Sequence, residues 1–269
     1  MIVAPHMDDE ALACGGLIAR SSQKESIHII YATDGMKSPA PILPGIDTIS
    51  PDLGEVRIQE AVAAMEFLGL PQENLRFLRL PEAHLKDNFT ALMDSLIKSI
   101  SEINPDYVFI PFRYDRHPDH LAINRAVTQG LKQARFQAQL IEYFVYYRWR
   151  LLPKKDIRKY IKPEFLIEIE ISDVSKKKRL ALNYYKSQTT LHYSWQTRPI
   201  LTSVLLDEES RNPEFFLLHN PPLPGAAVFS NTILWIRLAH RLEPFLQKSK
   251  YLAGAYLKRA SQRYIRNAG

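Results

Sequence analysis

A single cysteine, Cys14, leaves the chain no means of forming an internal disulfide, and a reducing cytoplasm is the expected setting. No uncharged apolar run reaches the 18 or so residues that a membrane-spanning helix requires. The longest candidate, 221–236, is broken by prolines and by the polar stretch Ser230-Asn231-Thr232. An apolar, strand-like run begins at Ile2 with no basic segment before it, so no secretory leader is expected. Gly15 and Gly16 lack the Gly-x-Gly spacing of a phosphate-cradling loop. Zinc-finger and RNA-recognition signatures are missing, so no nucleic-acid partner is expected.

What remains has the balance of a soluble globular chain. Of 269 residues, 46% are apolar and 24% charged, which excludes a disordered, collagen-like or coiled-coil protein. The net charge of +6 is unevenly distributed. Residues 232–269 carry +7 and residues 148–163 carry +6, which leaves an acidic body at −7. The basic character therefore belongs to a tail and a linker.

Short apolar runs alternate with helical periodicity over the first 147 residues. Strands are expected at 2–4, 27–32, 75–80, 107–111 and 140–147, and helices at 10–20, 53–68, 89–102 and 119–135. Residues 33–51, rich in Pro, Gly and Asp, read as a loop. Gly69 closes the second helix and Pro71 prevents its resumption. A further strand is expected at 165–171, followed by a helix capped by Ser172 or Asp173 and running to Ser187. Residues 188–230 give no clear pattern. Residues 232–269 read as a basic amphipathic helix with the stripe Trp235, Leu238, Leu242, Phe245 and Leu246. The fold class is α/β: a Rossmann-like three-layer α/β/α arrangement with a mostly parallel sheet, plus that C-terminal helix.

Two clusters carry chemistry. Ala4-Pro5-His6-Met7-Asp8-Asp9-Glu10 follows the first strand and packs one imidazole and three carboxylates into five residues. A bound cation offsets the repulsion among such neighbours. Asp115-Arg116-His117-Pro118-Asp119-His120 also follows a strand and precedes a helix. Either one alone reads as a polar helix start. Both fall on the carboxyl edge of a parallel sheet, where ligands bind, and together they supply enough groups for three metal ligands, a general base and a general acid. Asp and His suit a borderline metal such as zinc.

The run from Ala4 through Glu10 to Gly15-Gly16, paired with His117-Pro118-Asp119-His120, resembles the signatures of the LmbE-like (PIG-L) family of zinc-dependent N-deacetylases. Leu53-Gly54-Glu55-Val56-Arg57 looks like that family's arginine-containing helix, and Lys178 to Gln188 its late helix. The resemblance covers roughly the first 190 residues. It implies Zn2+ held by His6, Asp9 and His120. Asp8 matches the general base. His117 matches the residue that stabilises the oxyanion and protonates the leaving amine, with Asp119 orienting and charging it. Arg57 matches a substrate-contacting arginine. Met7 stands where the family usually has proline. The implied activity is zinc-dependent hydrolysis of the acetamide of an N-acetylglucosamine-type sugar or glycoconjugate.

Two other readings stay open: a metal-dependent phosphoesterase, and a non-catalytic membrane- or nucleic-acid-binding module using the basic tail. The expected organisation is a deacetylase domain over 1–231 and a helical extension over 232–269. That extension either docks on the body or lies on an anionic membrane surface at the inner face.

Overall fold

A computed structural model of the chain describes residues 1–22, 26–39, 50–115, 117–145, 162–196 and 198–219. The basic tail and the boundary at residue 231 lie outside the described residues, as does nearly all of the basic linker. Among the described residues, no helix is long and apolar enough to cross a membrane.

The chain runs β1 (Ile2–Ala4), α1 (Asp9–Ser21), β2 (Ile29–Thr33), α2 (Leu53–Leu68), β3 (Leu75–Leu80), α3 (Phe89–Ile103), β4 (Tyr107–Pro111), α4 (Pro118–Ala134) and β5 (Gln139–Tyr143). It continues through β6 (Leu166–Ile169), α5 (Ser175–Ala181), α6 (Lys186–Thr189), α7 (Ser203–Glu209) and β7 (Glu214–Leu218). One seven-stranded sheet results, in the order β3-β2-β1-β4-β5-β7-β6. The first five strands are parallel, as the alternating pattern predicts. The seventh alone breaks the rule: β7 runs antiparallel to both β5 and β6, which leaves β6 pointing the same way as the first five.

Apolar residues divide between the two faces of the sheet. One core is built by α1, α2 and the 181–185 segment over Ile2, Ala4, Ile29 and Tyr31. The other is built by α3 and α4 over Val3, Ile30, Val108 and Ile110. Three layers follow, with β1, β2 and β4 buried on both faces. Gly69 adopts the left-handed conformation (φ 100°) that ends α2.

The expected helix to Ser187 is interrupted. α5 stops at Ala181, a 3-10 turn spans Leu182–Tyr184, and α6 starts at Lys186. Polar contacts account for the break. Ser187 donates from both N and Oγ to Glu60, each at 2.7 Å, and the Tyr185 hydroxyl donates to Glu10. These tertiary bonds outweigh the propensity for one straight helix. The 188–230 stretch, which gave no pattern, contains α7 and β7. The run Phe215-Phe216-Leu217-Leu218 has no alternation because its strand lies inside the sheet.

A buried ion pair joins this late strand to α1. Lys178 Nζ lies 2.7 Å from Glu214 Oε1 and donates to Leu12 O at 2.7 Å. Glu214 in turn accepts from the amides of Gly16 and Leu17 at 2.7 and 2.8 Å. A side chain at Gly16 would overlap Ile171, with Cγ2 at 2.6 Å, which explains glycine there. Both charges are almost fully buried. Removing one strands the other, so Glu214→Ala is expected to lower the unfolding free energy by about 3–5 kcal/mol in urea denaturation. Adding Lys178→Met to that variant is expected to recover part of the loss.

Candidate active site

β1 and β4 are parallel neighbours in the sheet, yet the chain reaches β4 only after building β2 and β3 on the other side. The strand order therefore reverses between them, and a crevice opens beyond their carboxyl ends. Residues 5–8 leave β1 into that crevice and residues 112–115 leave β4 into it. The two sequence clusters, more than a hundred residues apart, meet there.

The first loop is tied down from several sides. Pro5 O accepts from Thr33 N at 3.1 Å and from Thr33 Oγ1 at 2.8 Å. Met7 O accepts from Arg57 Nη2 at 3.0 Å. Asp8 sits at φ 148°, ψ −27°, a conformation costing on the order of 1–3 kcal/mol for a residue with a side chain. Its amide donates to Glu10 Oε2 at 3.0 Å.

Asp9 Oδ2 is the meeting point. It lies 3.1 Å from His6 Nδ1, 3.3 Å from His120 Nε2, and accepts from His6 N at 3.0 Å. The outer nitrogen of each imidazole is held by a second carboxylate. His6 Nε2 is 3.2 Å from Asp119 Oδ2, and His120 Nδ1 is 3.3 Å from Asp115 Oδ2. His6, His117 and His120 offer ring nitrogens that all lie within 4.8 Å of one another. His6 packs edge-on to the His117 ring, 4.6 Å between centroids.

Electrostatics follow from this crowding. Burial opposes charge on His6, but hydrogen bonds to Asp119 and Asp9 outweigh it and raise its pKa to about 9. Burial likewise opposes charge on His120, where Asp115 and Asp9 prevail and hold it well above the usual value. Asp9, despite its burial, is held well below the usual carboxylate range by His120 and His6. Burial pushes Asp8 up to about 8, against the pull of Arg57. Burial, with the neighbouring charges of His6 and His120, lowers His117 to about 3.

The donor set fits a divalent cation. Tetrahedral zinc with nitrogen and oxygen ligands near 2.0–2.2 Å places its donor atoms roughly 3.3–3.5 Å apart. The 3.1 and 3.3 Å separations from Asp9 Oδ2 to the two imidazoles come within about 0.3 Å of that range. The protons now shared between Asp9 and the two histidines are those a cation displaces on binding. Outer carboxylates on both imidazoles are the support that metal-binding histidines use.

Each expected site residue is placed by the structure. His6, Asp9 and His120 converge. Asp8 is adjacent, its carboxylate 3.7 Å from Arg57 Nη2. His117 caps α4, its Nδ1 accepting from Asp119 N at 3.2 Å. That bond leaves Nε2 to carry the proton of the neutral ring. The Asp119 carboxylate stays 4.0 Å from His117 Nδ1 and instead binds His6 and the amides of Ala83 and Leu85. Arg57 is only 1% exposed. Its guanidinium reaches the carbonyls of Met7, Gly35 and Ser38 and lies 3.7 Å from Glu82.

Three buried groups around the site were given no role by the sequence. Asp115 holds His120 through one oxygen and accepts from His117 N at 2.9 Å through the other. Its signal was the Asp-x-His spacing. Glu82 is buried beside Arg57 and His6, with only its place just past β3 to mark it. Tyr185 lies in the Lys178–Gln188 stretch that resembles the family's late helix, but no role was attached to it.

The chain resembles known proteins in sequence and in fold. Residues 1–131 match the family described as PIG-L: GlcNAc-PI de-N-acetylase. Over those residues, just under half of its length, the chain is similar to the PIG-L (LmbE-like) family. A probable N-acetyl-alpha-D-glucosaminyl L-malate deacetylase 2 of Bacillus cereus is 27% identical over 197 residues, covering 70% of this chain and 83% of that protein. The conserved protein TT1542 of Thermus thermophilus shares the fold with a TM-score of 0.60 at 23% identity, over 84% of this chain and 96% of that one. The N,N'-diacetylchitobiose deacetylase of Pyrococcus horikoshii aligns with a TM-score of 0.53 at 19% identity, over 70% of each chain.

Arg57 anchors the loop that carries Asp8 through charged hydrogen bonds inside the protein. Arg57→Met is expected to destabilise the fold by roughly 1.5–3 kcal/mol for the strongest of them, read by urea denaturation.

Proposed function

We propose that the chain is a metal-dependent N-deacetylase acting on the acetamide of an N-acetylglucosamine-type sugar or glycoconjugate. The observation that carries this reading is the convergence of His6 and His120 on one oxygen of Asp9, with Asp8 beside them. The family match over residues 1–131 supports it, as does the relative whose name specifies an N-acetylglucosaminyl malate. His6, Asp9 and His120 would hold the ion, with Zn2+ the best fit to two imidazoles and a carboxylate.

The bound ion supplies Lewis acidity toward an amide carbonyl and toward an attacking water. Asp8 takes the proton of that water as it adds to the carbonyl carbon. The loop restraints on Pro5, Met7 and Asp8 hold the carboxylate in place for this transfer. His117 offers its Nε2 proton to the oxygen on which charge develops. Collapse of the tetrahedral adduct breaks the carbon–nitrogen bond, and the departing amine takes its proton from the acid that Asp8 has become, while His117 keeps its Nε2 proton in the hydrogen bond to the oxygen. Asp119 and Asp115 hold the imidazoles of His6 and His120 from behind. The carbonyl contacts of Arg57 support a bracing role under Asp8 rather than direct contact with substrate.

Amine release from a panel of soluble and lipid-linked N-acetylglucosaminides, with and without zinc, tests the activity. Asp8→Asn is expected to retain metal and lose about 100-fold or more in turnover. Near wild-type turnover would remove Asp8 from its role. His6→Ala and His120→Ala are expected to lose the ion, read by elemental analysis. Asp115→Asn is expected to bind the ion about 10- to 100-fold more weakly in competition with a chelator. A stoichiometry of two ions per chain would favour the phosphoesterase reading instead.

A further inference from the structure

We propose that Tyr185 and Glu10 form a buried brace that fixes the strained backbone at Asp8, which makes Tyr185 a positioning residue for the hydrolysis. The inference rests on the reading of Asp8 as the base. Residues held in sparsely populated backbone conformations stay there only when their surroundings over-determine them. At Asp8 the surroundings are few and identifiable. Its carbonyl accepts from Leu12 N at 2.9 Å, as the first turn of α1 requires. The preceding carbonyl, of Met7, is held by Arg57. Its amide has one partner, Glu10 Oε2, at 3.0 Å.

That partner is itself a carboxylate with no exposure to solvent. A buried carboxylate needs donors to stay where it is. The Tyr185 hydroxyl donates to the other oxygen, Oε1, from a residue 175 positions away that is also fully buried. Tyr185 sits at the break between the 3-10 turn 182–184 and α6, so the interruption of that helix is what delivers the hydroxyl. Glu60, on α2, pins the next turn through Ser187 N and Oγ. A chain of hydrogen bonds thus runs from the late helical segment through Glu10 to the peptide that aims the Asp8 carboxylate.

The test uses the full chain with Tyr185→Phe, which keeps the ring and removes the hydroxyl, and Glu10→Gln as a second variant. Hydrogen exchange at the Asp8 amide, followed by NMR, reads the brace without reference to metal or substrate. It is expected to accelerate about tenfold or more in both variants, while core amides such as Ile30 keep their wild-type rates. With zinc bound, kcat is expected to fall about 10- to 100-fold, the scale of a small misplacement, with KM and zinc stoichiometry within about twofold of wild type. Unchanged exchange at Asp8, or accelerated exchange with an unchanged kcat, overturns the proposal. Absence of amine release by the wild-type enzyme defeats the functional reading instead. The exchange comparison then decides the brace alone.

Discussion

The carboxylate of Asp9 is shared between two imidazoles from distant parts of the chain, and the site exists because of that sharing. Around it, six buried acids (Asp8, Asp9, Glu10, Glu82, Asp115 and Asp119) are packed against His6, His120 and Arg57. None of these groups would tolerate such burial alone. Each is made tolerable by its neighbours, so the folded crevice is a mutual arrangement of charges and not a set of independent side chains. A cation entering this arrangement replaces protons already shared there, with little movement of the donors. The polar interior and the capacity to hold a metal are therefore one property.

The sheet makes that arrangement possible by geometry. β1 has only three residues, and the chain turns into the crevice as soon as it leaves the strand. Pairing with β2 on one side and β4 on the other compensates for the short length. Asp8 and the histidines thus start from a backbone that is buried on both faces. The strain at Asp8 is tolerated because the elements on either side of it are fixed.

Much of this was readable in the sequence, for identifiable reasons. β1, α2, β3 and β4 fall where their apolar patterns place them, because their faces are decided by burial alone. The meeting of the two polar clusters followed from each sitting just past a parallel strand, while the choice of His6, Asp9 and His120 within them was implied by the family resemblance. Contacts between remote polar groups were not readable. The partner of Asp119 proved to be His6 rather than His117, since the cap at Asp119 N already occupies His117 Nδ1. Arg57 is buried on the carbonyls of Met7, Gly35 and Ser38, contacts that its place on a helix does not announce. The breaks at 182–185 and the antiparallel β7 are set by Glu10, Glu60 and the open side of β5, none of which local periodicity encodes.

The place of β7 has a consequence for how the protein is divided. The family match ends at residue 131, but the sheet that carries the site is completed by a strand threaded in from residues 214–218, between β5 and β6. A fragment ending near residue 145 would leave β5 with a bare row of amides and carbonyls, ready to template pairing with another copy. It would also strip the carboxylate of Glu214 from the α1 amides that it holds. The portion that bears the chemistry therefore leans on later sequence, whose strand covers the edge of β5 and whose Tyr185 reaches Glu10 behind Asp8.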